Sequence, residues 1–128
     1  MGLFDFFKGD KLIYGPSLYF LNHPLKDKYF YRTISFQYLD KYTITALDGK
    51  RARMITFDDW PQEIFLSATG TQTVYEFLIE MAKRYRGKVP ARLDRTVIEE
   101  LEKLIDEQIV NISDEPVALD PKILNPIR

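Results

Sequence analysis

The chain has no cysteine. Disulfides, thiolate nucleophiles, thiolate zinc sites and cysteine-ligated iron–sulfur clusters are therefore excluded. Its one histidine, His23, rules out multi-histidine metal sites and leaves histidine acid–base chemistry a single candidate. That residue sits in Asn22-His23-Pro24, a loop with no neighbouring partner for catalysis or metal binding, so a surface histidine is expected. Charge of one sign is lacking too: 18 basic residues against 19 acidic ones leave no overall footprint for nucleic acid or an anionic membrane. No apolar run reaches bilayer length, and the N-terminus lacks the apolar stretch and small-residue cleavage site of a secretory signal. A cytoplasmic protein without stable membrane insertion is the expectation. The six glycines form neither G-x-G-x-x-G nor G-x-x-x-x-G-K, so no phosphate-cradling loop is expected.

What is present is the composition of one ordered globular domain: 128 residues, 45% hydrophobic, 29% charged and 14% aromatic. The acids concentrate at the end, where residues 91–128 hold nine against five bases. The chain divides into an aromatic N-terminal extension (1–28), a body (29–119) and an extended surface tail (120–128) interrupted by Pro121 and Pro126. Phe4, Phe6 and Phe7 are expected to dock on the body or to meet a partner. A myristoylation signal would have Ser or Thr where Phe6 stands, and Lys8 alone is too little charge for an interfacial helix.

From Tyr29 the pattern becomes period two, with Phe30, Ile34, Phe36 and Tyr38 on one side. Residues 42–47 and 51–57 follow, separated by Asp48-Gly49, a dipeptide suited to a tight hairpin. These form a three-stranded antiparallel meander. Three helices come next. Asp59 before Trp60-Pro61 caps the first; Thr73 with Glu76 makes a capping box for the second; the third runs from about Asp94 with Val97, Ile98, Leu101, Leu104 and Ile105 on its apolar face. Gly70 is a turn glycine. Val110–Ser113 and Val117–Leu119, around Asp114-Glu115-Pro116, read as a C-terminal hairpin. The fold class is α+β, winged-helix-like.

Chemistry-bearing motifs are few. Asp58 and Asp59 point apart and cannot act as a carboxylate dyad. Arg51 and Arg53, near Tyr29, Tyr31, Tyr38 and Tyr42, resemble the cation-and-aromatic mix of single-strand nucleic-acid binders, although strand tyrosines and solvated arginines beside a turn account for the same residues. Lys83, Arg84, Arg86 and Lys88 complement the end of a helix dipole. The third helix carries Glu99, Glu100, Glu102, Asp106 and Glu107 on its outer face, which would repel phosphate where a DNA-reading helix must enter. DNA is not an expected partner, no cofactor is expected, and no constellation for an enzyme can be placed.

The succession of meander, Gly70, Thr73-Val-Tyr-Glu76 opening a helix that ends at Arg84-Tyr85, and Leu101-Glu-Lys-Leu-Ile-Asp-Glu-Gln-Ile-Val110 resembles the PqqD-like domains over about residues 29–113. The aromatic extension, the proline-containing tail and Ala68-Thr69-Gly70, where an acid commonly precedes the glycine, depart from that pattern. The resemblance implies a non-catalytic adaptor that takes an extended peptide or protein segment as an added strand. Its groove would lie between Met54, Ile55, Thr56 and Phe57 and the helix flank bearing Glu100, Lys103, Leu104 and Glu107. The edge logic stands by itself, because an outer strand exposes unpaired N–H and C=O groups. In cis, Lys11–Tyr14 and Ser17–Leu21 have the β-forming composition to pack on the sheet and to pair with a free edge. The alternative is a structural or regulatory partner protein, an immunity-like or complex-stabilising subunit using Phe4, Phe6, Phe7, Arg51 and Arg53 at its surface, with nucleic-acid binding behind both.

Overall fold

In the computed structural model, which describes residues 14–128, the alternating stretch from Tyr29 makes two strands instead of one. β1 (Tyr29–Arg32) and β2 (Ser35–Tyr38) part at Thr33, whose amide donates to the Ile109 carbonyl at 3.0 Å. Each joins a different sheet. β2, β3 (Ile44–Asp48) and β4 (Arg53–Thr56) form the expected antiparallel meander, with Phe36 opposite Ala46 and Ala46 opposite Ile55. The turn between β3 and β4 is longer than Asp48-Gly49 suggested. Its left-handed residue is Ala52 (φ 50), and the Asp48 carboxylate closes it by accepting the Arg51 amide at 3.3 Å.

The helices follow their apolar spacing. α2 (Asp59–Ser67) has Asp58 at its N-cap position, without a side-chain capping bond, and Asp59 falls in the first turn. α3 (Val74–Lys83) has both halves of its capping box: the Glu76 amide donates to Thr73 Oγ1 (3.1 Å), and the Thr73 amide donates to Glu76 Oε1 (2.8 Å). α4 (Leu93–Asp106) buries Val97, Ile98, Leu101 and Leu104 along one stripe. These helices and the sheets share one core, in which Phe30 meets Phe77 and Phe65 meets Phe36, edge to face.

Three connections depart from expectation. First, the stretch after α2 is a strand, β5 (Thr69–Thr73), antiparallel to β1. Gly70 has φ +82, and a Cβ there would lie 2.3 Å from the Val117 carbonyl oxygen. The glycine is thus required by backbone conformation and by close approach together. Second, residues 110–119 make no hairpin. β6 (Val110–Ser113) pairs with β1, giving the order β5-β1-β6, while Val117 crosses to the far edge and donates to the Gly70 carbonyl at 2.9 Å. Gln108 in the left-handed region (φ 64) turns the chain out of α4 directly into register with β1.

Third, Ser17–Leu21 is not extended. Leu18–Leu21 forms a one-turn helix, α1, capped by Ser17, whose own amide donates to the Asp94 carboxylate at 2.7 Å. These polar contacts favour helical docking on α4 over recruitment to a sheet, and Phe20 is fully buried there. Lys11–Ile13, like Phe4, Phe6 and Phe7, lies outside the described residues. The tail also turns helical: α5 (Pro121–Leu124) is capped by Asp120, with proline at its start. Beyond it, the Ile127 amide donates to the Phe36 carbonyl (2.8 Å) and Ile127 bridges to Gln37 in parallel. The prolines flank this pairing and do not prevent it.

Candidate functional site

β4 is an edge strand, and its outward groups can be assigned from the ladder. Antiparallel strands alternate pairs that exchange hydrogen bonds with pairs that do not. The Leu39 amide donates to the Thr43 carbonyl at 2.8 Å, so Gln37 with Thr45 and Ser35 with Leu47 are bonded pairs. Ala46 and Asp48 therefore turn their groups toward β4 and bond to Ile55 and Arg53. Met54 and Thr56 are left presenting N–H and C=O outward. Two further contacts agree with this phase: Phe36 uses its carbonyl on Ile127, and Thr45 Oγ1 donates to the Ile55 carbonyl at 3.2 Å. Met54 is 68% exposed, and Thr56 is exposed beside it. Ile55 is half-buried, and Phe57 stacks its ring 5.2 Å from Phe65. Among the described residues no segment pairs with this edge.

The ladder ends where Gln62 of α2 enters it. Its Oε1 accepts from the Ile44 amide (3.1 Å), and its Nε2 donates to the Tyr42 carbonyl (2.6 Å). The side-chain amide thus continues the pairing that β4 abandons after Thr56. No sequence pattern marked Gln62, because a surface amide on a helix has many ordinary uses.

The helix flank is less open than the resemblance implied. Leu104 is buried and belongs to the core. Glu100 and Lys103 pair with each other at 2.8 Å, and the Glu100 hydrogen bond, with its charge, raises the lysine's pKa. Glu107 is the one flank residue that meets the strand. Arg53 Nη2 donates to Glu107 Oε2 (3.3 Å) and Arg53 Nε to Asp48 Oδ2 (3.0 Å), while Arg51 reaches the Glu107 carbonyl (3.3 Å) and Gln108 Oε1 (3.1 Å). Burial pushes the Asp48 carboxyl up, but the Arg53 hydrogen bond, the Arg51 amide and both guanidinium charges outweigh it and hold the group below its usual value. Both arginines are committed to carboxylates and carbonyls, an arrangement that fastens the β3–β4 turn to the end of α4.

Beside that junction lies a cleft of about 690 Å³, walled by Ile34, Leu47, Lys50, Ile105, Val110 and Ile123 among others. Its volume is that of a small-molecule or peptide site. No group of three or more His, Asp or Glu side chains suited to a metal occurs among the described residues. His23 accepts the Leu25 amide on Nδ1 (3.1 Å) and turns Nε2 toward Glu102 (3.7 Å), an anchoring role between the loop and α4.

The strand alternation does not single out Arg32. It is only 2% exposed. Its Nε donates to the Ile123 carbonyl (3.0 Å), Nη1 to the Phe65 (3.1 Å) and Leu66 (3.0 Å) carbonyls, and Nη2 to the Leu124 carbonyl (2.7 Å). These are last-turn carbonyls of α2 and α5, at the negative ends of two helices, and the Phe65 carbonyl also accepts the Ala68 amide at 3.2 Å. The signal available in the sequence was an arginine at an inward position between Phe30 and Phe36.

No family model, curated protein or solved structure matches the chain. Among the described residues no helix is long and apolar enough to cross a membrane.

Proposed function

We propose that this protein is a non-catalytic adaptor that captures an extended peptide or protein segment by adding it as a strand to the outer edge of β4, in the manner of the PqqD-like domains it resembles. The observation that carries the reading is the asymmetry of the meander. Its β2 edge is covered by the chain's own Ile127, whereas Met54 and Thr56 offer main-chain donors and acceptors on the β4 edge with no partner among the described residues. Exposed edges are usually blunted by charge, proline or a covering segment; the exposed side chains here are a methionine and a threonine. Glu107, held by Arg51 and Arg53, marks one end of the groove.

The test uses the phase of the ladder. Met54→Pro removes one outward N–H and no bond to β3, so the fold is retained while strand addition is blocked. Capture of an extended segment that protects the Met54 and Thr56 amides from hydrogen exchange, and its loss in Met54→Pro, is the expected result. Undiminished capture by Met54→Pro would overturn the reading. A second reading, a complex-stabilising subunit, is favoured by the exposed Leu39 and Tyr42 at the β2–β3 turn, the latter 79% accessible. In that case Tyr42→Asp, not Met54→Pro, abolishes association.

A further inference from the structure

Three residues past Thr56, within about 10 Å of chain, α2 opens a second concavity that the strand edge does not use. It is a pocket of about 220 Å³ lined by Asp59, Trp60, Glu63, Met81, Arg84 and Tyr85. That is below the ~300–1,000 Å³ of drug-sized sites and suits one side chain. Met81, almost wholly buried, forms an apolar floor, and Trp60 and Tyr85 supply two aromatic walls. The rim is acidic. Arg84 is held by Glu63 at 2.7 Å and the nearby Lys83 by Glu80 at 3.7 Å, which leaves Asp59 as the lining carboxylate without an ion pair among the described residues. The pocket lies between the C-terminal end of α3, whose dipole favours cations, and the first turn of α2, whose dipole favours anions, so the two ends offset and Asp59 supplies the local charge. Aromatic faces, a thioether floor and a carboxylate together recognise an alkylammonium or guanidinium group.

We infer that this pocket takes a cationic side chain, lysine or arginine, and confers side-chain selectivity on the segment added to β4. The inference rests on the strand-addition reading for its biological occupant, but the pocket's preference can be measured without it. Trp60 is the only tryptophan, so its fluorescence and indole N–H resonance report occupancy directly. The full chain is titrated at constant ionic strength with N-acetyl-lysine N-methylamide and, separately, with N-acetyl-norleucine N-methylamide. The lysine probe is expected to give a saturable shift at Trp60 with an affinity about two- to fivefold tighter, the ratio that a partly exposed cation–π contact provides. Asp59→Asn should erase that preference, and Tyr85→Leu should weaken the lysine probe. Equal or tighter binding of norleucine, no saturable shift with either probe, or a preference that survives Asp59→Asn would overturn the inference. Met54→Pro leaves the probe titration unchanged, because neither probe pairs with the strand. A failed pocket and a failed strand edge are therefore distinguishable.

Discussion

A guanidinium 2% exposed, with no carboxylate paired to it among the described residues, has to be stabilised by something else, and at Arg32 that is four carbonyls at two helix ends. Burial lowers its pKa, opposed by Tyr38, yet an arginine remains charged. Its face also lies over the Phe36 ring, 4.8 Å from the centroid. Arg32→Leu removes the donor from the Leu66, Ile123 and Leu124 carbonyls, while Phe65 keeps the Ala68 amide, and is expected to cost about 3 kcal/mol, since hydrogen bonds to a charged group contribute roughly 1.5–3 kcal/mol each and the relieved desolvation offsets part of the sum. Urea denaturation checks this; a change below about 0.5 kcal/mol would mean that the carbonyls are as well served by water. Asp48 gives a second prediction, in pH. Its folded pKa lies below the unfolded value near 3.9, so its contribution to stability is present above that pH and is lost as pH falls through the folded pKa. Asp48→Asn should flatten the dependence of stability on pH below about 4, and an unchanged slope would assign the acid sensitivity elsewhere.

Among the elements, legibility followed how local the cause is. The capping box at Thr73 and Glu76 and the three strands of the meander rest on contacts within a dozen residues, and the buried stripe of α4 on a helical period within the segment itself, so each could be read from spacing. The break at Thr33 could not, because a period of two continues unaltered through Ile34 while the hydrogen-bond partner switches from β6 to β3. Likewise Val110–Ser113 looks like half of a hairpin until β1 is seen to offer it a full register. Of the candidate site, the outer strand, observed as Arg53–Thr56, was legible, whereas Phe57 leaving the strand, Gln62 closing the ladder and Leu104 lost to the core depend on distant packing. Two proline substitutions separate the inward and outward amides of β4. Met54→Pro touches only an outward N–H and should shift stability by less than about 1 kcal/mol, whereas Ile55→Pro removes a bond to Ala46 and should cost about 3 kcal/mol or more. If the two variants melt alike, the phase assigned to β4 is wrong.

At the scale of the whole molecule, the two sheets are joined by more than their shared core, because the tail touches both. α5 gives the Ile123 and Leu124 carbonyls to Arg32 of β1, in one sheet, and Ile127 pairs with β2, in the other. Removing residues 121–128 would leave Arg32 with the two α2 carbonyls only and would uncover the outward groups of Phe36 and Tyr38. A flat, newly open edge beside the exposed Tyr38 and Leu39 is a template for pairing with another chain. The truncated protein is therefore expected to lose about 2 kcal/mol of stability and to associate in a concentration-dependent way, read by light scattering coupled to size-exclusion chromatography. That association should persist when Met54→Pro is added, because it runs through β2 and not β4. A truncated chain that stays monomeric and melts with the full-length protein would show that the tail neither fastens the sheets nor guards the second edge, and association abolished by Met54→Pro would place the reactive edge on β4.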